Sequence, residues 1–179
     1  GIFDAEILIR LAAARGQAMA ADADSAGAML SLACDAETAE SILAAVDGYA
    51  VIANLNSPRQ TVVSGERAAI EAVEVAAGRR EVVSRRLPVS NAFHSTLVSS
   101  AADALRSLSF LPAAATTSPS AQLLSCMDGQ EVAQGVGLRS HFAEQVLARV
   151  DFMALARSLA ARSDLILEVG PGRILSGLA

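Results

Sequence analysis

Hydrophobic residues in this chain switch between a helical and a strand-like rhythm, and the switches divide it into elements. Apolar positions 7, 8, 11, 12 and 19 predict a first helix over about residues 5–19, with Asp4 as its N-cap. Stepping by four from Leu11 reaches Arg15 and then Met19, so Arg15 shares the apolar stripe while Arg10 falls outside it. Residues 28–34 read as a strand. Asp35 then caps a helix with Ala39, Ile42, Leu43 and Val46 at helical spacing, closed by Gly48. Two further strands, 49–55 and 60–64, flank the turn Asn56-Ser57-Pro58-Arg59. A helix over 66–77 aligns Ile70, Val73 and Ala77, Gly78 follows it, and 82–87 is a fourth strand.

The order β-α-β-β-α-β over residues 26–88 is that of a split βαβ, or ferredoxin-like, unit, which hosts many functions. Beyond it, 88–93 stays extended and a helix starts near Ser95, with Leu97, Ala101, Leu105 and Leu108 on one face. A Thr/Ser/Pro linker at 115–120 precedes a strand at 122–127, which Asp128-Gly129 ends. One helix covers 140–148. Asp151 caps another that turns Phe152, Leu155, Ala156 and Leu159 inward. Residues 165–169 are an apolar run broken by Glu168 and predict a strand buried in a parallel sheet, with Gly170-Pro171-Gly172 a tight turn at a cleft. The predicted class is α/β.

Composition narrows the function. A net charge of -5, one tyrosine and no tryptophan argue against nucleic acid, which requires basic patches and stacking aromatics. Hydrophobic content reaches 53%, much of it alanine, yet the apolar runs are too short to span a bilayer, and no leader opens the chain. A cytoplasmic location is expected, with Cys34 and Cys126 as reduced core thiols. The opening Gly1-Ile2-Phe3-Asp4 begins on a helix cap without methionine, so the chain is expected to be the C-terminal part of something larger.

Three residues suggest chemistry. His94, in Asn91-Ala92-Phe93-His94-Ser95, sits at a helix N-terminus, where the helix dipole disfavours imidazolium and suits a neutral base. A structural histidine is the alternative. An arginine on a core face, Arg15, needs a partner: one of the chain's own acids or a ligand carboxylate. Gln145 completes a set resembling the base, substrate anchor and base-orienting residue of an acyl-transfer enzyme. His141 lacks such a context and is expected at the surface. No nucleophile is identifiable in the chain.

The segments Asn54-Leu55-Asn56-Ser57-Pro58-Arg59-Gln60, Val62-Val63-Ser64-Gly65, Ala92-Phe93-His94-Ser95 and Glu168-Val169-Gly170-Pro171-Gly172 follow one another in this order. Together they resemble the acyltransferase domain of type I polyketide synthases, in the malonyl-CoA:acyl-carrier-protein transacylase family. The resemblance implies an α/β-hydrolase-like core (residues 1–25 and 89–179) carrying an inserted ferredoxin-like subdomain (26–88). It implies a serine nucleophile upstream of Gly1, His94 as the base that activates it, and Gln145 as the residue whose backbone carbonyl orients His94. Arg15 matches the arginine that clamps a malonyl carboxylate. Met19, Asn56 and Val169 match positions near the acyl pocket, and Phe93 matches the position where malonyl-selective domains carry phenylalanine. Asn91 departs from the usual histidine, Arg149-Val150 from proline-valine, and Ser125-Cys126 from serine-asparagine.

The implied reaction moves malonyl from malonyl-CoA to the phosphopantetheine thiol of an acyl carrier protein, without metal or redox cofactor, in polyketide and antibiotic biosynthesis. The implied partners are that carrier protein, neighbouring synthase domains and the preceding part of the same domain. Competing readings are a non-catalytic carrier-docking or scaffold module, a free-standing ferredoxin-like ligand-binding domain, and a transacylase of fatty acid synthesis or of different acyl specificity.

Overall fold

Side chains of adjacent strand residues point to opposite faces, and in this sheet the two faces feed two different cores. A computed structural model describes residues 3–21, 27–89, 91–111, 122–132, 136–170 and 172–179. Helix α1 (Ala5–Ala21) is followed by β1 (Gly27–Leu32), α2 (Ala36–Leu43), β2 (Ala50–Ser57), β3 (Gln60–Glu66), α3 (Arg67–Arg79) and β4 (Ser84–Arg86). A 3-10 turn, Thr96–Val98, then runs into α4 (Ser99–Arg106), and α5 (Leu138–Leu147), β5 (Val150–Asp151), α6 (Phe152–Ala160) and α7 (Ile174–Leu178) complete the order. The sheet order is β4-β1-β3-β2-β5, antiparallel except where β5 joins β2 in parallel.

Ala28, Leu30 and Leu32 of β1 turn toward α2 and α3, packing with Ile42, Val63, Ile70 and Val73. The opposite face, with Met29, Ala53 and Val62, meets Leu87 and Phe93. Phe93 also packs against a separate helical core built from Leu11, Val98, Leu105, Leu111, Leu138 and Val146. It is therefore the side chain shared by sheet and helices. Asp4, Asp35 and Asp151 accept hydrogen bonds from the backbone N–H three residues on, at 2.8, 2.9 and 2.8 Å, so each cap read from the sequence is formed.

Several elements differ from the sequence expectation. The β2–β3 turn is tighter, since Ser57 pairs with Gln60 and only Pro58-Arg59 lie between. Residues 122–127 are not a strand: Gly129, at φ +70°, turns the chain back so that only Leu124 and Glu131 bridge. Strand β5 was not anticipated, because two residues are too few to show a period; it ties the C-terminal segment to the sheet. The linker at 115–120 lies outside the described residues.

Two corrections concern burial. Residues 165–169 form no strand, and Leu165 and Val169 are 84% and 88% exposed. A buried parallel strand needs neighbours on its edges, and none pairs with this run among the described residues. Ile166 and Leu167 line an apolar groove with Phe152, Leu155 and Leu159 of α6 and Leu175 of α7. His141 is buried, at 8% exposure, rather than on the surface. It lies three residues after Leu138 on the core face of α5 and meets the Phe142 ring edge-on. Cys34 is a free buried thiol, while Cys126 is free and half-buried in the 125–129 turn.

Gly65 is required by close approach. A Cβ there would stand 2.2 Å from the Tyr49 carbonyl oxygen and 2.6 Å from the Ala50 Cα, both backbone atoms that cannot swing aside. Gly65→Ala is expected to lower unfolding free energy by about 1–3 kcal/mol or more, as overpacking does. Gly78→Ala, whose added methyl meets nothing within 4 Å, is expected to gain up to about 1 kcal/mol as a helix residue. Urea unfolding of the two variants checks the contrast, and equal effects would contradict it.

Candidate active site

The site lies where the C-terminal half of α1, the turn before α4, and the end of α5 meet. Leu11 of α1 is buried, and one turn further on Arg15 is half-buried. Its Nη1 donates to Oε1 of Gln145 at 3.0 Å. Among the described residues no carboxylate pairs with Arg15. Burial pushes the guanidinium pKa below its ordinary value, with the nearby Cys126 sulfur acting in the opposite direction. Leu8, Leu11, Ala12, Arg15, Phe142 and Gln145 line a shallow, mainly apolar groove, so the guanidinium stands at an otherwise greasy surface.

His94 adopts φ +58°, a left-handed conformation unfavourable for a residue with a Cβ. The surrounding hydrogen bonds hold it there. Its N–H donates to the Val146 carbonyl at 3.1 Å, and Ser95 caps the following turn by accepting from the Leu97 N–H at 3.3 Å. The Tyr49 hydroxyl accepts from the Thr96 N–H at 3.0 Å and bonds its side chain at 2.9 Å, linking the start of β2 to this turn.

The ring of His94 makes its hydrogen bond through Nδ1, 2.9 Å from the Ala148 carbonyl oxygen. A carbonyl can only accept, so this bond places the proton on Nδ1 and leaves Nε2 as an open lone pair. The carbonyl at hydrogen-bond distance is thus Ala148's, and Gln145's backbone carbonyl is a lesser partner. Burial lowers the His94 pKa, the Ala148 carbonyl opposes it, the Arg15 charge lowers it further, and the Gln145 carbonyl again opposes. The net direction is down. Neutral imidazole with a free Nε2 is the form a general base requires.

Of the residues singled out in the sequence, Arg15, Gln145 and His94 come together, with Phe93 beside them. Met19 is half-buried next to the helical core, and its carbonyl accepts from Asn91 Nδ2 at 2.5 Å. Asn56 instead donates to Gln60 Oε1 at 2.9 Å and lines a groove with Pro58, Phe152 and Arg157. Val169 stands exposed. Neither Asn56 nor Val169 joins the hydrogen bonds around Arg15 and His94. Two participants were missed: the Ala148 carbonyl, which no side chain advertises, and Cys126, whose Sγ accepts from Gln145 Nε2 at 3.3 Å. Among the described residues no hydroxyl or thiol is hydrogen-bonded to the His94 ring.

Because its folded-state pKa is depressed, His94 binds its proton more weakly in the folded chain than in the unfolded one. Stability from this group is present above the unfolded histidine pKa of about 6.5 and is lost as pH falls toward the folded value. Proton NMR of the imidazole is expected to give a titration midpoint for His94 below 6.5. A midpoint above it would show that the buried, Arg15-facing environment is wrong.

The family model described as "Acyl transferase domain" matches residues 4–174. A highly reducing polyketide synthase of Penicillium oxalicum, poxF, is 31% identical over 170 residues, covering 86% of this chain and 7% of that protein. The malonyl CoA-acyl carrier protein transacylase of Escherichia coli is 31% identical over 186 residues, 99% of this chain and 59% of that enzyme. Among solved structures, the acyltransferase domain of the iterative polyketide synthase in enediyne biosynthesis superposes with a TM-score of 0.84 at 34% identity, over 98% of this chain and 46% of that one. The chain thus spans less than two thirds of each relative. With a mixed α/β fold that follows these domains and a match running through nearly its whole length, the chain belongs to the acyltransferase domain family of polyketide synthases and malonyl-CoA:acyl-carrier-protein transacylases.

Proposed function

We propose that this chain is part of an acyltransferase domain that moves a malonyl unit from CoA to the phosphopantetheine thiol of an acyl carrier protein in polyketide biosynthesis. The observation that carries the reading is Arg15: a half-buried cation held by a neutral carboxamide, facing a neutral imidazole. An uncompensated buried charge is unfavourable unless something completes it, and the carboxylate of a malonyl group has the fork geometry to do so. An acetyl group does not.

In this reading a serine in the part of the protein preceding Gly1 is the nucleophile. His94 Nε2 takes the serine proton as Oγ attacks the thioester carbonyl, and the resulting imidazolium returns that proton to the departing CoA thiolate. The product is a malonyl-serine ester and free CoA. In the second half-reaction Nε2 takes the proton of the phosphopantetheine thiol, the sulfur attacks the ester, and the serine oxygen leaves with the proton. The Ala148 and Gln145 carbonyls stabilise the imidazolium formed in each half, the part played by the acid in an ordinary triad.

The architecture supports the same reading. The antiparallel order β4-β1-β3-β2 with α2 and α3 on one face fits a ferredoxin-like insertion over 26–88. The exposed apolar run 165–169 fits a strand of an α/β-hydrolase-like core whose neighbouring strands come from elsewhere in the protein. Phe93, packed between sheet and helices immediately before His94, is read as the wall beside the acyl α-carbon that disfavours a methyl branch.

Acyl loading of the full-length protein tests this. Arg15→Ala is expected to weaken malonyl transfer by about 3 kcal/mol in kcat/KM, a charge pair broken from one side, with acetyl transfer far less affected. Equal losses for the two would make Arg15 structural. In the same assay Phe93→Ser is expected to raise methylmalonyl loading relative to malonyl by tens- to hundredsfold, since one methyl is worth about 1–3 kcal/mol. An unchanged ratio would remove Phe93 from the pocket.

A further inference from the structure

Gln145 meets both sides of the site with different groups. Its backbone carbonyl acts on His94, while its side chain holds Arg15. The orientation of that side chain is decided by chemistry. A guanidinium has only donors, so the carboxamide can anchor Arg15 only by presenting oxygen; flipped, its NH2 would face N–H groups. With Oε1 on Arg15, Nε2 points the other way, and there it finds the Cys126 sulfur at 3.3 Å. Cys126 is fixed in turn by the Asp151 N–H, which donates to its carbonyl at 2.9 Å, and by the turn closed from Gly129 N–H to the Ser125 carbonyl at 2.9 Å.

We infer that the Gln145 carboxamide is a positioning group that sets the acyl specificity of the site: it aims the Arg15 guanidinium, and the Cys126 thiol locks the carboxamide in the orientation that does so. This rests on the proposed malonyl transfer for its substrate, but not for its geometry. The anchor's neutrality is what matters. A glutamate in its place would pair with Arg15 and neutralise it, leaving no net charge for an incoming carboxylate. A carboxamide fixes the guanidinium while leaving its charge and its other N–H donors available.

The chain Cys126–Gln145–Arg15 thus places specificity on two residues that need not touch substrate. The hydrogen bonds of the His94 ring go to backbone carbonyls, which side-chain substitution at 145 leaves in place.

Kinetics and labelling of the full-length protein test this together. Gln145→Leu is expected to raise KM for malonyl-CoA about ten- to hundredfold, the scale of one hydrogen bond to a charged group, with acetyl loading far less affected. Gln145→Glu is expected to depress malonyl loading further while narrowing the gap to acetyl-CoA. Cys126→Val, which offers no acceptor, should show a smaller loss in the same direction, and Cys126→Ser, which restores one, should recover it. Malonyl and acetyl loading falling by one factor would overturn the inference. Independently of any turnover, phenylglyoxal labelling of Arg15 followed by peptide mass spectrometry should be faster in Gln145→Leu and in Cys126→Val than in the unsubstituted protein. Unchanged labelling overturns the inference whatever the kinetics. A protein that loads no malonyl at all overturns the proposed function, while the labelling still decides the relay.

Discussion

A half-buried positive charge held by a neutral carboxamide, with no carboxylate partner among the described residues, is the constraint around which this site is arranged. Arg15 is half-buried one turn along α1 from the buried Leu11, and it donates to the neutral oxygen of Gln145. Desolvation makes such a charge unfavourable, and in the proposed reaction the substrate carboxylate offsets that cost. The same charge acts on His94, adding to burial in holding the imidazole neutral. In the proposed reaction one cation both pairs with the substrate carboxylate and keeps the base neutral.

The fold restrains the segment that carries His94 from several sides. Phe93 packs into both the sheet face and the helical core, which fixes the residue before His94 from two sides. Tyr49 reaches from the edge of β2 to the turn after His94, and Asn91 ties the segment to the Met19 carbonyl at the far end of α1. The left-handed backbone at His94 is held by these restraints, since a residue with a Cβ does not settle there unaided. Strain of this kind gathers where a side chain must be aimed rather than merely buried.

What could be read from the sequence follows from which signals are local. Helix α1, the caps at Asp4, Asp35 and Asp151, and the apolar run of β1 were legible because period and capping chemistry lie in consecutive residues. Arg15 was legible for the same reason, as a step of four from Leu11. The run 165–169 was misread because an apolar stretch says that cover is wanted, not whether cover is at hand. His141 was misread because polarity was weighed above its place three residues from Leu138. The Ala148 carbonyl left no trace, since backbone acceptors have no side-chain signature. The contact of Cys126 with Gln145 joins residues 19 apart, and no local pattern in the sequence signals it.

The central claim is that Arg15, Gln145 and His94 serve a serine supplied from outside these residues. It is tested most directly by treating the full-length protein with malonyl-CoA, quenching in acid and locating the malonyl group by peptide mass spectrometry. The malonyl ester is expected on a serine preceding Gly1, and substitution of His94 by alanine should abolish it. A malonyl group carried by Cys126 or by any serine within these 179 residues, or one formed as well without His94, would contradict the assignment.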